Sequence, residues 1–136
     1  MANHMNPQPP KVLIVDDNEH VRYQLRRMLV SFGCEFTEAE TGEEALKMIR
    51  DTAFDVLFLD MRLPLGVTGI EVFTEARRMR PDDLGKVIII TGWFEEKSRT
   101  DARILGAHDW LDKAPLDRER VLNAFRTAID KDGGNT

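Results

Sequence analysis

The chain has 136 residues, of which 42% are hydrophobic and 32% charged, with a formal net charge of −5 and a pI near 5.2. This length suits one ordinary domain that buries roughly 68% of its unfolded surface, leaving no room for a second folded module. The acidic balance argues against direct nucleic-acid binding, and no apolar run approaches the roughly 20 residues of a membrane span, so a soluble protein with neither nucleic acid nor membrane as partner is expected.

Residues 1–10 hold three prolines and no apolar core, and are expected to form a flexible N-terminal tail. Val12-Leu13-Ile14-Val15 is apolar without alternation, as in a strand covered on both faces, and it ends in Asp16-Asp17. Val21, Leu25, Met28, Leu29 and Phe32 then recur at helical spacing, with Arg22, Arg26 and Arg27 on the other side, until Gly33 stops the helix. A weaker strand is expected near Cys34 to Glu38, a helix from about Gly42 to Arg50, and a stronger strand at Asp55 to Leu59 ending in Asp60. Beyond the Pro64 to Gly69 loop, Ile70, Phe73 and Ala76 mark a third helix, and Val87 to Ile90 a fourth strand ending at Thr91. The fourth helix, from about Glu95 to Leu105, has an apolar stripe of little more than Ala102 and Leu105, as a weakly held, movable element would. A fifth strand from Ala107 to Leu111 ends just before Lys113, and a last helix buries Val121, Leu122, Phe125, Ala128 and Ile129. The single cysteine, Cys34, fits a buried structural role in a reducing cytoplasm. Residues 11–131 thus form the domain, and 132–136 a flexible C-terminal tail.

Five alternating strands and helices imply an α/β fold, an open, doubly wound parallel sheet with right-handed crossovers and helices on both faces. The third and fourth strands should be central, and the more polar second and fifth should lie at the edges. Ligands in such sheets bind outside the carboxyl ends of the strands. Asp16 and Asp17 end the first strand, Asp60 the third and Thr91 the fourth, while Lys113 follows the fifth. Three carboxylates brought together repel unless they share a cation, and hard oxygen ligands suit Mg²⁺ or Mn²⁺. A carboxylate, a hydroxyl and an ammonium beside such a cation can hold a phosphoryl group, with Asp60 as the nucleophile that forms an aspartyl phosphate. Taken singly, Asp17 or Asn18 also suits the cap of the first helix, Thr91 the cap of the fourth, and Lys113 a solvated surface. Their concurrence at four strand ends favours a shared site. His20 and His108 read as surface or half-buried residues.

Val15-Asp16-Asp17-Asn18, Phe58-Leu59-Asp60-Met61-Arg62-Leu63-Pro64, Ile90-Thr91-Gly92 and Trp110-Leu111-Asp112-Lys113 together resemble the response-regulator receiver family over about Lys11 to Lys131. The resemblance implies a flavodoxin-like sheet of order 2-1-3-4-5 and phosphorylation of Asp60 by a histidine kinase or histidine phosphotransfer protein. It implies that Asp17, Asp60 and the Arg62 carbonyl ligate Mg²⁺, with Asp16 acting mostly through water, while Lys113, Thr91 and the Gly92 amide bind phosphoryl oxygens. It also makes Thr91 and Trp110 a switch pair that alters the face of the fourth helix, fifth strand and fifth helix. A downstream protein target and a phosphorylation-dependent homodimer are the further partners it implies. Such a protein catalyses its own phosphorylation and dephosphorylation but serves as a signalling switch.

The sequence departs from the family pattern in several places. Ala114 separates Lys113 from Pro115, where the family usually has a cis proline. A non-proline cis bond costs about 2.5–4 kcal/mol, so a trans Lys113-Ala114 peptide is expected. The Pro64 to Gly69 loop is one residue longer than usual, Trp110 replaces the commoner tyrosine or phenylalanine, and Trp93 beside the site is expected to shield the path of attacking water. A haloacid-dehalogenase-type hydrolase would carry Asp-x-Asp on its first strand, unlike Asp16-Asp17. A pseudo-receiver that binds partners without phosphorylation would usually lack one of the acids or the lysine. No output domain is visible, which fits a stand-alone regulator, a relay carrier or a receiver from a longer protein.

Overall fold

Branched apolar runs with no polar alternation need cover on both sides, and the chain provides it by winding helices across both faces of one sheet. The computed structural model describes residues 8–92, 95–113 and 115–130. In chain order these form β1 (Lys11–Val15), α1 (Glu19–Leu29), β2 (Glu35–Ala39), α2 (Gly42–Asp51), β3 (Val56–Asp60), α3 (Gly69–Met79), β4 (Lys86–Thr91), α4 (Glu96–Ile104), β5 (Asp109–Asp112) and α5 (Arg118–Ile129). The strands are parallel in the order β2-β1-β3-β4-β5, as expected for the flavodoxin-like arrangement.

Alternate strand residues serve two cores. Leu13, Val15, Leu57, Leu59, Val87 and Ile89 pack with Ala45 and Ile49 of α2, Val72, Phe73 and Ala76 of α3, and Ala102 of α4. Val12, Ile14, Val56, Phe58, Ile88 and Ile90 face Val21, Leu25 and Leu29 of α1 and Val121, Ala124, Phe125 and Ala128 of α5. Phe125 stacks on Phe58 with ring centroids 6.3 Å apart and meets the edge of Phe32 at 4.9 Å.

Departures in the bounds of the elements fall at a few of their ends. α1 stops at Leu29, and Val30–Phe32 tightens into a 3₁₀ turn closed by Gly33 at φ 68°. β2 and β5 start one and two residues late. Their registers begin at Lys11↔Glu35 and Ile88↔Asp109, and among the described residues each strand has one neighbour, so polar residues are tolerated there. The Pro10 carbonyl accepts from the Glu35 amide at 2.8 Å, so backbone pairing begins within the expected N-terminal tail. The remaining tail expectations, for residues 1–7 and 132–136, and the last residue of the expected domain, Lys131, lie outside the described residues. Ala102 is the buried residue of α4, Leu105 is half-buried, and Ile104 is 77% exposed, in keeping with the thin stripe.

One contact between loop and helix fixes the end of β3. The Gly69 amide donates to the Met61 carbonyl at 3.2 Å, and a Cβ on Gly69 would lie 2.4 Å from the Asp60 carbonyl oxygen and 2.6 Å from Met61 Cα. Backbone on both sides leaves nothing soft to move. Gly69→Ala is therefore expected to lower stability by about 2 kcal/mol through overpacking. Urea unfolding with an unchanged m-value checks this, and wild-type stability in the variant would contradict it.

Candidate functional site

The parallel order lines up the carboxyl ends of β1, β3, β4 and β5 side by side. Asp16 follows β1, Asp60 closes β3, Thr91 closes β4 and Lys113 follows β5, so residues far apart in sequence share one edge. Asp16 and Asp60 are buried, 0% and 2% exposed, and Thr91 is buried beside them in the strand order. The Lys113 ammonium donates to Asp16 Oδ2 at 2.7 Å and to Asp60 Oδ2 at 2.8 Å. Its backbone amide donates to the Thr91 carbonyl at 3.0 Å, and Lys113 bridges back to Leu116, so both ends of the residue are held. The lysine stem runs past Gly92, whose added Cβ would meet Lys113 Cγ at 3.7 Å and Cε at 3.8 Å, an ordinary contact.

The other atoms of the acidic residues are held locally. Asp60 Oδ1 accepts from the Arg62 amide at 3.0 Å. Asp16 Oδ1 accepts from the Asn18 amide at 2.8 Å, and the Asp16 amide donates to the Ala39 carbonyl at 3.0 Å. Asn18 caps α1 by accepting from the His20 and Val21 amides, which leaves Asp17 outside the cap and exposed. The N-cap of α4 is Glu95, so Thr91 does not fill that place. Lys113, with its side chain 18% exposed, is no solvated surface lysine.

Burial pushes the Asp60 carboxyl above its usual 3.8, with a further upward push from Asp16; the hydrogen bonds from Lys113 and the Arg62 amide offset only part of this. Burial alone would lower the Lys113 ammonium, but its bonds to Asp16 and Asp60 outweigh that and raise its pKa. One ammonium thus leaves the acidic cluster short of positive charge. Asp16, Asp17 and Asp60 each offer a carboxylate oxygen, all within 4.8 Å of one another, a set of hard donors that fits a small divalent cation such as Mg²⁺.

Trp110 is half-buried in β5, opposite Ile89, with the Arg99 guanidinium of α4 5.5 Å from its ring centroid. Its carbonyl accepts from Arg120 of α5 at 3.0 Å, so β5 is tied to both flanking helices. Arg62 is exposed, and its backbone rather than its side chain meets Asp60. His20 is exposed, and His108 is half-buried against the Thr127 hydroxyl at 2.9 Å. Cys34 is half-buried, its thiol pushed up to about 11 by burial. The expectations for Trp93 and Ala114 lie outside the described residues.

Arg22 corrects the reading of α1. Placed by its polarity on the outer side, it is 6% exposed, with Nη1 donating to the Asp16 carbonyl at 2.7 Å and Nε to Glu38 at 2.6 Å. The available signal was Glu38, an acidic residue in a strand flanking β1.

The family model described as response regulator receiver domain matches residues 12–126. Transcriptional regulatory protein ResD of Bacillus subtilis (strain 168) is 34% identical over 112 residues, covering 82% of this chain and 45% of that protein. The chain spans about half the length of this and other curated relatives it matches. Protein PilH of Pseudomonas aeruginosa is 29% identical over 119 residues, covering 88% of this chain and 97% of its own. Among solved structures, a CheY-like response regulator receiver domain protein from Methanospirillum hungatei JF-1 superposes with a TM-score of 0.83 at 24% identity, covering 95% of this chain and all of that one.

A carboxyl raised by folding favours the native state most when protonated, so its contribution is full at low pH and is lost as pH rises through the folded value. In chelator at neutral pH, Asp60→Asn is therefore expected to melt above wild type, and the gap should close as pH falls, because the folded wild-type carboxyl takes up its proton above its usual 3.8. Paired thermal melts across that range check the sign; a variant less stable than wild type at neutral pH would refute it.

Proposed function

The chain belongs to the response regulator receiver family, and from that membership we propose that it accepts a phosphoryl group on Asp60 from a histidine kinase or histidine phosphotransfer protein. The observation that carries this reading is the contact of one lysine with two buried carboxylates at adjoining strand ends, Lys113 with Asp16 and Asp60. An Asp60 oxygen attacks the donor's phosphorus as the P–N bond breaks, and the electron pair of that bond stays on the donor imidazole. The Lys113 ammonium, the Thr91 hydroxyl and the Gly92 amide take the phosphoryl oxygens, while the Arg62 amide keeps the Asp60 carboxylate oriented. Asp17, Asp60 and the Arg62 carbonyl would hold Mg²⁺, with Asp16 acting through water, and the ion when bound neutralises charge on the transferring group.

Residues 11–131 act as the receiver unit, in the cytoplasm, where such kinases present their phosphohistidine. The output face is α4, β5 and α5, with Thr91 and Trp110 as the switch pair. The thin apolar footing of α4 and the Arg99 contact over Trp110 support this choice, because a helix held so lightly can shift.

Incubation with Mg²⁺ and acetyl phosphate should add one phosphoryl mass, roughly 80 Da, to the intact protein. The gain should vanish in Asp60→Asn and in chelator. A wild-type protein that neither gains this mass nor binds Mg²⁺ would instead be a phosphorylation-independent binding module.

A further inference from the structure

The peptide joining Asp16 to Asp17 carries two of the three clustered carboxylates, yet it lies beyond the last residue of β1. The sheet reaches only as far as the Asp16 amide, which donates to the Ala39 carbonyl. The Asp16 side chain is held by Asn18 through Oδ1 and by Lys113 through Oδ2. The orientation of the next peptide plane rests on its carbonyl oxygen, which accepts from Arg22 Nη1 at 2.7 Å in a buried contact.

Arg22 is itself fixed from the far side. Its Nε donates to Glu38 Oε1 at 2.6 Å, Nη2 lies 3.6 Å from Glu40, and the other Glu38 oxygen accepts from Arg26 at 2.5 Å. The planar fork thus spans from the edge strand β2 to the acidic turn, at nearly full burial. A lysine, with one point charge at the end of a flexible stem, cannot reproduce both ends of this bridge.

We propose that Arg22 is a positioning residue whose guanidinium locks the Asp16–Asp17 peptide and thereby sets how tightly the acidic cluster binds a divalent cation. The proposal rests on the functional reading of the cluster given above. Groups that orient metal ligands without touching the metal typically change affinity by about 10- to 100-fold when lost.

The test uses the whole chain, stripped of metal and titrated with Mg²⁺ alone by calorimetry, alongside melting curves in chelator. Arg22→Met is expected to raise the Mg²⁺ Kd by about 10- to 100-fold. Arg22→Lys keeps a charge but not the fork, so it should recover part of that loss and still bind several-fold more weakly than wild type. If Arg22→Met does not fold, the lysine variant decides: a several-fold weaker Kd supports the proposal, and a wild-type Kd overturns it. A purely structural role would lower the melting temperature in chelator while leaving the Kd of the folded variants unchanged, which also overturns it. A wild-type protein that does not bind Mg²⁺ overturns the functional reading and this inference together, whereas equal affinities in wild type and variants overturn the inference alone.

Discussion

Lys113 stands between two carboxylates that water scarcely reaches. Buried like charges repel, so the edge of the sheet holds together on the terms this ammonium sets. Its reach dictates much around it. The lysine follows β5, while its partners follow β1 and close β3, so the side chain must cross the end of β4. The stem runs past Gly92 with room for an ordinary contact, and the bond from the Lys113 amide to the Thr91 carbonyl sets where the crossing starts.

This edge of the sheet can be so crowded with charge because the rest of the sheet is not. Two apolar cores, one on each face, hold β1, β3 and β4 almost free of solvent, and their rigidity fixes the spacing of the strand ends. The turns beyond the strands complete the geometry. Gly69 lets α3 start directly against the Asp60 backbone, and Asn18 starts α1 two residues beyond Asp16. Asp16 and Asp60 are thus braced from behind, the first by Arg22 of α1 and the second by the start of α3.

Much of this was legible in the sequence because burial on both faces writes a plain signal. The apolar runs at residues 12–15, 56–59 and 87–90 have no polar interruption, and each leads into a residue of the site. The edge strands were displaced by one or two residues, since a strand with one neighbour accepts Glu35 or Asp109 and the apolar pattern loses its sharp limit. Two features of the site were not readable. Asp16 and Asp17 are adjacent and identical, yet one is buried and the other exposed, because the chain turns between them. Arg22 was sorted outward with Arg26 and Arg27 because helical periodicity ranks residues by polarity and cannot register that a buried guanidinium has found a carbonyl and a carboxylate. Placing it required the register of β2 against β1.

Lys113 lies 97 residues from Asp16 and 53 from Asp60 in the chain. A ribosome therefore completes both acids, and the strands that carry them, well before it delivers their counter-ion. Contacts across such separations close long loops, which costs chain entropy. Until β5 docks, the partly made protein has these two carboxylates without the ammonium that pairs with both. The charge pairing of this edge is thus complete only with β5 in place: a chain that stops short of Lys113 owns Asp16, Asp17 and Asp60 without the ammonium that Asp16 and Asp60 share.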